Sequence, residues 1–143
     1  MKKALQRLLL IVVCLSLLTM TAFAQHTLSP RSSLYIMGTN AVINYKSNGK
    51  IEVSFMISGT DVMTEIGATL IELYEWNDDG HSAKRVATYR YTDPGYSHMM
   101  GYNTGVYGSS VTYNGTTGRE YYARVHLKAG NSSGSDTFVE SAI

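Results

Sequence analysis

Residues 121–128 read Tyr-Tyr-Ala-Arg-Val-His-Leu-Lys, the stretch of this sequence in which apolar and polar side chains alternate most regularly. In a β-strand, successive side chains point to opposite faces of the sheet. One face of this stretch therefore carries Tyr121, Ala123, Val125 and Leu127, and the other carries mostly charged groups. Full burial of a valine or leucine side chain contributes about 1.5–3 kcal/mol. The alternation predicts a strand with one face in the hydrophobic core.

Shorter stretches of the same kind precede it, separated by Gly, Asn, Asp and Ser. Residues 51–57 alternate strictly between apolar and polar side chains. Residues 68–76 are apolar in part on both faces, which is typical of a strand near the middle of a sheet. Residues 86–91 and a short segment at 110–113 are further predicted strands. The spacing of these runs predicts an all-β domain.

The first 24 residues have the composition of a secretory signal peptide. Lys2, Lys3 and Arg7 give a positive start. The apolar run that follows, residues 8–20, is shorter than the roughly 20 residues that span a bilayer. Ala22 and Ala24 are small residues of the kind that a signal peptidase recognises, so we place cleavage after Ala24. We expect a secreted, extracellular protein with no membrane span in the mature chain, and an uncleaved membrane anchor is the alternative.

The mature chain has 119 residues, enough for one domain. We predict a flexible lead-in over residues 25–33 and a β-sandwich over residues 34–143. The single cysteine, Cys14, lies in the signal peptide, so this domain must be held by its core alone, which favours a bacterial source.

The charge of the mature chain is nearly balanced, because nine basic residues, scattered singly, remain against eleven acidic ones. With this balance of charge, the sequence has no cluster of basic residues that would bind nucleic acid.

Residues 118–125, Gly-Arg-Glu-Tyr-Tyr-Ala-Arg-Val, and the Asn-Ser-Ser-Gly turn at residues 131–134 resemble part of a known fold. They resemble the sixth strand and the following turn of fibronectin type III and related immunoglobulin-like domains. The resemblance implies a single β-sandwich of about seven strands. It also implies that Tyr121 holds a corner of the fold through a hydrogen bond to backbone upstream. Another small antiparallel β-sandwich or barrel is the alternative.

The chain as a whole resembles a family of short secreted proteins from Gram-positive bacteria, of the Firmicutes and clostridial type, whose domain has no known function. Ile66-Gly67-Ala68 and residues 121–125 carry this resemblance. It implies export and brings no activity with it.

The mature sequence has no arrangement of residues typical of a catalytic or metal site. The serines lie in Gly-Ser turns without the flanking glycines of a nucleophile elbow, and Glu72 and Glu75 fall on opposite faces of their strand. The four histidines are too widely spaced to hold a metal from one element. We therefore expect no enzyme, metal or cofactor. The alternative is a small secreted hydrolase whose site assembles from distant residues, with His98 or His126 as its base.

The sequence contains eleven tyrosines, whose rings offer an apolar face and a polar tip that suit sugars and peptides. Tyr96, Tyr102 and Tyr107 lie within residues 96–118, where frequent glycines indicate bulges or bends and where binding loops tend to occur. We predict these three as binding residues of a secreted, non-catalytic module that binds an extracellular glycan or protein at the cell surface. Self-assembly of free sheet edges into a surface layer or fibre is a further alternative.

Overall fold

The structure is a computed structural model that describes residues 33–143. The predicted signal peptide, residues 1–24, and nearly all of the predicted lead-in, residues 25–33, lie outside the described residues. Over residues 33–143, no helix has the length and apolar character needed to cross a membrane. The helical segments of this part of the chain are two three-residue 3-10 turns, Ser47–Gly49 and Ser97–Met99.

Six antiparallel strands make up most of the described chain, and the all-β prediction is confirmed. The strands are β1 (Ile36–Tyr45), β2 (Lys50–Trp76), β3 (Ala83–Arg90), β4 (Met100–Asn114), β5 (Tyr121–Asn131) and β6 (Gly134–Ala142). The described chain has six strands, whereas about seven were predicted. The number is lower because residues 51–57 and 68–76 are two parts of the single 27-residue strand β2. The short strand predicted at 110–113 is one end of the 15-residue strand β4.

Strand β2 belongs to two layers of one continuous sheet. Its first half pairs with β1 on one side and with β4 on the other. Its second half pairs with β3 and with β5, and β5 pairs with β6. We call β1, the first half of β2 and β4 the first layer, and β3, the second half of β2, β5 and β6 the second layer. Because one strand joins the layers, the sheet curls into a half-barrel, which matches the alternative prediction of another small antiparallel sandwich or barrel.

Both layers bury their inner faces in one hydrophobic core. The inner positions of β2 and β5 supply most of it: Ile51, Val53, Phe55, Ile57, Ile66, Ala68, Ile71, Leu73, Tyr121, Ala123, Val125, Leu127 and Ala129. The four β5 side chains predicted to face the core are at most 1% exposed, whereas Arg124 between them is exposed. The predicted faces of β5 are therefore confirmed.

Gly67 lies where β2 passes from the first layer to the second. At this position β2 pairs with Met100 of β4 and with Lys128 of β5. A Cβ atom at residue 67 would collide with the carbonyl oxygen of Met99. Glycine is therefore required for the backbone before β4 to approach β2 this closely.

The predicted irregularity of residues 96–118 is present in β4. Asn103 has a positive φ of 54°, and the register between β2 and β4 shifts between Ser58 and Met63. Bulges of this kind bend a strand and increase its twist. They allow β4 to follow β2 from one layer into the other.

Tyr121, predicted to hold a corner of the fold, lies at the start of β5 and is 1% exposed. Its hydroxyl oxygen accepts a hydrogen bond from the backbone N–H of Thr116 at 2.9 Å, five residues upstream. The same hydroxyl donates to Oε2 of Glu75 at 2.6 Å. Burial, followed by the bond to Glu75, raises the pKa of the Tyr121 phenol. The phenol therefore stays neutral and connects the β4–β5 loop to β2.

Candidate binding site

The three tyrosines predicted to bind a ligand differ in exposure. Tyr102 is 57% exposed on β4. Tyr96 is half-buried and packs against Tyr89, with ring centroids 5.0 Å apart. Tyr107 is also half-buried, lies against Gly101, and donates a hydrogen bond to the carbonyl oxygen of His98 at 2.7 Å. Of the three, only Tyr102 presents most of its surface to solvent, so it is the starting point for a candidate site.

Tyr102 lies directly opposite Glu65 of β2 in the sheet register, and Glu65 lies opposite Gly130 of β5. The Nζ atom of Lys128 donates to Oε2 of Glu65 at 2.6 Å. Beside this ion pair is an open groove of about 390 Å³, which we call the turn groove. Its lining consists of Thr64, Glu65, Lys128 and residues 130–135 of the β5–β6 turn. Tyr102 and the turn groove form the candidate binding site.

Each residue that lines the turn groove is polar, charged or a glycine. It offers hydroxyl groups from Thr64 and three serines of the turn, the Asn131 side chain, and the Glu65–Lys128 ion pair. The hydrogen bond to Glu65 raises the pKa of Lys128, although its partial burial acts in the opposite direction. The Lys128 ammonium group therefore stays charged in neutral solution. The groove thus combines neutral and charged hydrogen-bonding groups, which can fix the orientation of a polar ligand.

The shape of the β5–β6 turn depends on a bond within the turn itself. Oδ1 of Asn131 accepts a hydrogen bond from the backbone N–H of Ser133 at 2.8 Å. Asn favours such turns because its side chain can bond the backbone two residues further on. The serine hydroxyls therefore stand on a defined turn.

We call the face of the second layer that points away from the core its outer face. From Lys128 back toward Tyr121, every second side chain of β5 lies on this outer face. Glu72 lies on this face at 9% exposure. Its Oε1 accepts a hydrogen bond from Arg85 at 2.7 Å, and its Oε2 lies 3.3 Å from Nε2 of His126. Burial alone would raise the pKa of Glu72, but the bonds to Arg85 and His126 outweigh it and lower the pKa. Glu72 is therefore an ionised carboxylate shared between its two neighbours.

Three aromatic side chains lie at the far end of the same face. The rings of Tyr74 and Tyr122 are stacked with centroids 4.7 Å apart and an angle of 4° between their planes. Trp76 lies 5.1 Å from Tyr122 at a tilt of 43°. Tyr74 and Tyr122 are directly opposite each other in the β2–β5 register. This cluster could not be predicted from the sequence, because two tyrosines 48 positions apart carry no local sign that they are neighbours.

The histidines considered for a hydrolase have other partners. The ring nitrogens of His98 lie 3.0 Å from the carbonyl oxygen of Gly95 and 3.2 Å from that of Ser110. His126 contacts the Glu72 carboxylate. Over residues 33–143, neither histidine has a hydrogen bond to a serine hydroxyl, and no group of three His, Cys, Asp or Glu residues could hold a metal.

No family model matches the chain, and no curated protein matches it. Among solved structures, the chain is similar to the sporulation control protein Spo0M from Bacillus subtilis, with 10% sequence identity and a TM-score of 0.41. That match covers 73% of this chain and 47% of Spo0M, so this chain spans about half the length of that protein.

Proposed function

We propose that this protein is an exported, non-catalytic binding domain whose turn groove and Tyr102 take a segment of an extracellular glycan. The observation that carries the proposal is the exposed ring of Tyr102 beside a groove lined by hydroxyl, amide and charged groups. A tyrosine ring can pack on the apolar face of a sugar, while its hydroxyl stays in water. Polar groups beside it can bond the hydroxyls of the same sugar. The location outside the cell rests on residues 1–24.

The lining of the groove favours a glycan over a protein partner. Protein interfaces are anchored by aromatic or aliphatic side chains that fill well-packed, desolvated pockets. The residues that line the turn groove include no Leu, Ile, Val, Met, Phe or Trp. A ligand rich in hydroxyl groups matches this lining, because the Ser, Thr, Asn and charged side chains of the groove can form hydrogen bonds with hydroxyl groups.

A glycan array with the mature protein, residues 25–143, tests the proposal. We expect binding to a defined glycan class, and we expect Tyr102→Ala to weaken it by about tenfold, the loss of one aromatic contact of about 1.4 kcal/mol. The matched control is Val106→Ala, because Val106 is 56% exposed on the same strand but lies opposite Ser58, whereas Tyr102 lies opposite Glu65 of the groove lining. Binding that survives Tyr102→Ala unchanged, or no binding to any glycan, would contradict the proposal.

A further inference from the structure

The second layer concentrates positive charge on its outer face. Lys128, His126 and Arg124 alternate with the buried side chains of β5 and therefore share this face. Arg90 and Arg85 occupy β3 positions on the other side of β2, opposite Leu70 and Tyr74 respectively. The basic groups thus form two rows, one along β5 and one along β3, with β2 between them.

This face differs in charge from the rest of the domain. Residues 33–143 contain eight Lys and Arg against eleven Asp and Glu, a net charge of −3. The strand positions of the outer face carry four of these basic residues, Arg85, Arg90, Arg124 and Lys128, against two acidic ones, Glu65 and Glu72. A local excess of positive charge on an otherwise acidic domain attracts anionic ligands to that face.

Two of the basic groups have no acidic partner among the described residues. Both oxygens of Glu72 are engaged, one by Arg85 and the other by His126, and Glu65 is engaged by Lys128. Within residues 33–143, Arg90 and Arg124 form no ion pair. Both side chains are exposed. Their guanidinium groups are therefore available for bidentate hydrogen bonds to a carboxylate.

We propose that the ligand is a linear acidic polysaccharide that carries carboxylates on its sugar rings and lies along β5 from the turn groove toward Tyr122. This inference rests on the proposed function and names the substrate class. From Lys128 to Tyr122 the strand extends about 20 Å, which suits a polymer rather than a single sugar. Tyr102 stands near one end of this track and the Tyr74–Tyr122 pair at the other. Rings at both ends favour a chain of sugars over a polyanion without rings.

Titration calorimetry with two polymers that differ only in whether their carboxyl groups are free or methyl-esterified tests this inference. Polygalacturonate supplies the carboxylates, and its fully methyl-esterified form is the uncharged counterpart. We expect the esterified polymer to bind at least about tenfold more weakly. Arg124→Ala and Arg90→Ala should each weaken the binding of polygalacturonate by about tenfold, and affinity should fall as salt rises. Lys50→Ala is the control, because it removes the same charge from an exposed position of the first layer.

The outcomes separate this inference from the proposed function. Equal binding of both polymers, weakened by Tyr102→Ala but not by Arg124→Ala, overturns the acidic ligand and leaves the glycan site standing. Tighter binding to polyphosphate than to polygalacturonate also overturns it. No binding to either polymer or to any arrayed glycan overturns both. Matching thermal unfolding of the Arg124→Ala, Arg90→Ala and parent proteins shows that a loss of binding does not come from a loss of fold.

Discussion

At the scale of single residues, Tyr89 shows how a buried phenol ties stability to pH. Its side chain is 7% exposed, and its hydroxyl donates to the carbonyl oxygen of Thr112 at 3.3 Å. Burial, helped by the neighbouring Tyr96 and Tyr113, raises the pKa of Tyr89 to about 12. The folded protein therefore favours the neutral phenol beyond the pH at which the unfolded chain ionises it.

A raised pKa of an acidic group stabilises the fold fully below its unfolded value, here 10.0, and this contribution is lost as pH rises toward 12. We expect the urea midpoint of the native protein to fall between pH 10 and 12. The fall should be smaller in Tyr89→Phe, which has no proton to lose at this position. Tyr102→Phe is the control, since that tyrosine is 57% exposed. Parallel pH curves for Tyr89→Phe and the native protein would contradict this assignment.

Neighbouring residues of β5 should respond oppositely to substitution. Val125 is fully buried, so Val125→Asp places an unpaired carboxylate in the core at a cost of several kcal/mol. Total stability is about 5–15 kcal/mol, so we expect this variant not to fold. Arg124 is exposed, and Arg124→Ala should change stability by no more than about 0.5 kcal/mol. Thermal unfolding followed by circular dichroism measures both, and comparable losses would show that the two faces are reversed.

At the scale of strands, β5 could be predicted because its apolar and polar side chains alternate in the same order as its buried and exposed positions. Strand β2 could be predicted only in parts. Gly59 and Asp61 have the composition of a turn, yet the strand continues through them while β4 follows with a shifted register. Strand pairing over long distances in sequence overrides such local preferences.

The candidate site, too, could be predicted only in part, because some of its residues meet only through strand pairing. Tyr102 could be singled out from its position in a glycine-rich segment. The ion pair beside it could not, because Glu65 and Lys128 are 63 residues apart and meet only through the β2–β5 register. Tyr96 and Tyr107 have the same local surroundings in sequence as Tyr102 but pack against the core. The composition of residues 96–118 indicates where a binding segment could lie, whereas only the structure shows which of its three tyrosines is exposed.

The crossing of β2 between layers depends on Gly67. In Gly67→Ala the new methyl group meets the Met99 carbonyl, so backbone must shift at a cost of about 1–3 kcal/mol. Gly38→Ala in β1 is the matched control, because a Cβ there has nothing within 4 Å. Urea unfolding should show a clear loss for the first variant and little change for the second. Equal stability of the two variants would mean that the close approach at Gly67 is not required.

At the scale of the whole molecule, side chains connect the two ends of the strand order, β1 and β6. Oδ2 of Asp136 accepts hydrogen bonds from the Ser33 hydroxyl at 2.6 Å and from the Tyr35 N–H at 3.0 Å. Further along, the Thr39 hydroxyl donates to Oε2 of Glu140 at 2.5 Å. The Ser33 bond, followed by backbone bonds, lowers the pKa of Asp136. The ionised carboxylate is therefore the form that holds the start of the described chain to β6.

A lowered carboxyl pKa stabilises the fold above the unfolded value of 3.8, and this contribution is lost as pH falls through the folded value. We expect Asp136→Asn to speed hydrogen exchange at residues 33–39 at neutral pH while β5 stays protected. The same segment of the native protein should lose protection below about pH 3.8. Glu120→Gln, an equal change of charge at an exposed position, should leave exchange unchanged. Unaltered exchange in Asp136→Asn would show that Asp136 does not hold this segment.

The shared strand β2 also determines how the domain comes apart under load. Its 27 residues lie between neighbours in both layers, so tension on the chain ends cannot strip one layer away and leave the other standing. Once β2 leaves its place, each layer loses an interior strand in the same event. The domain therefore yields as one mechanical unit, a useful property for a small domain that has no disulfide to arrest partial opening.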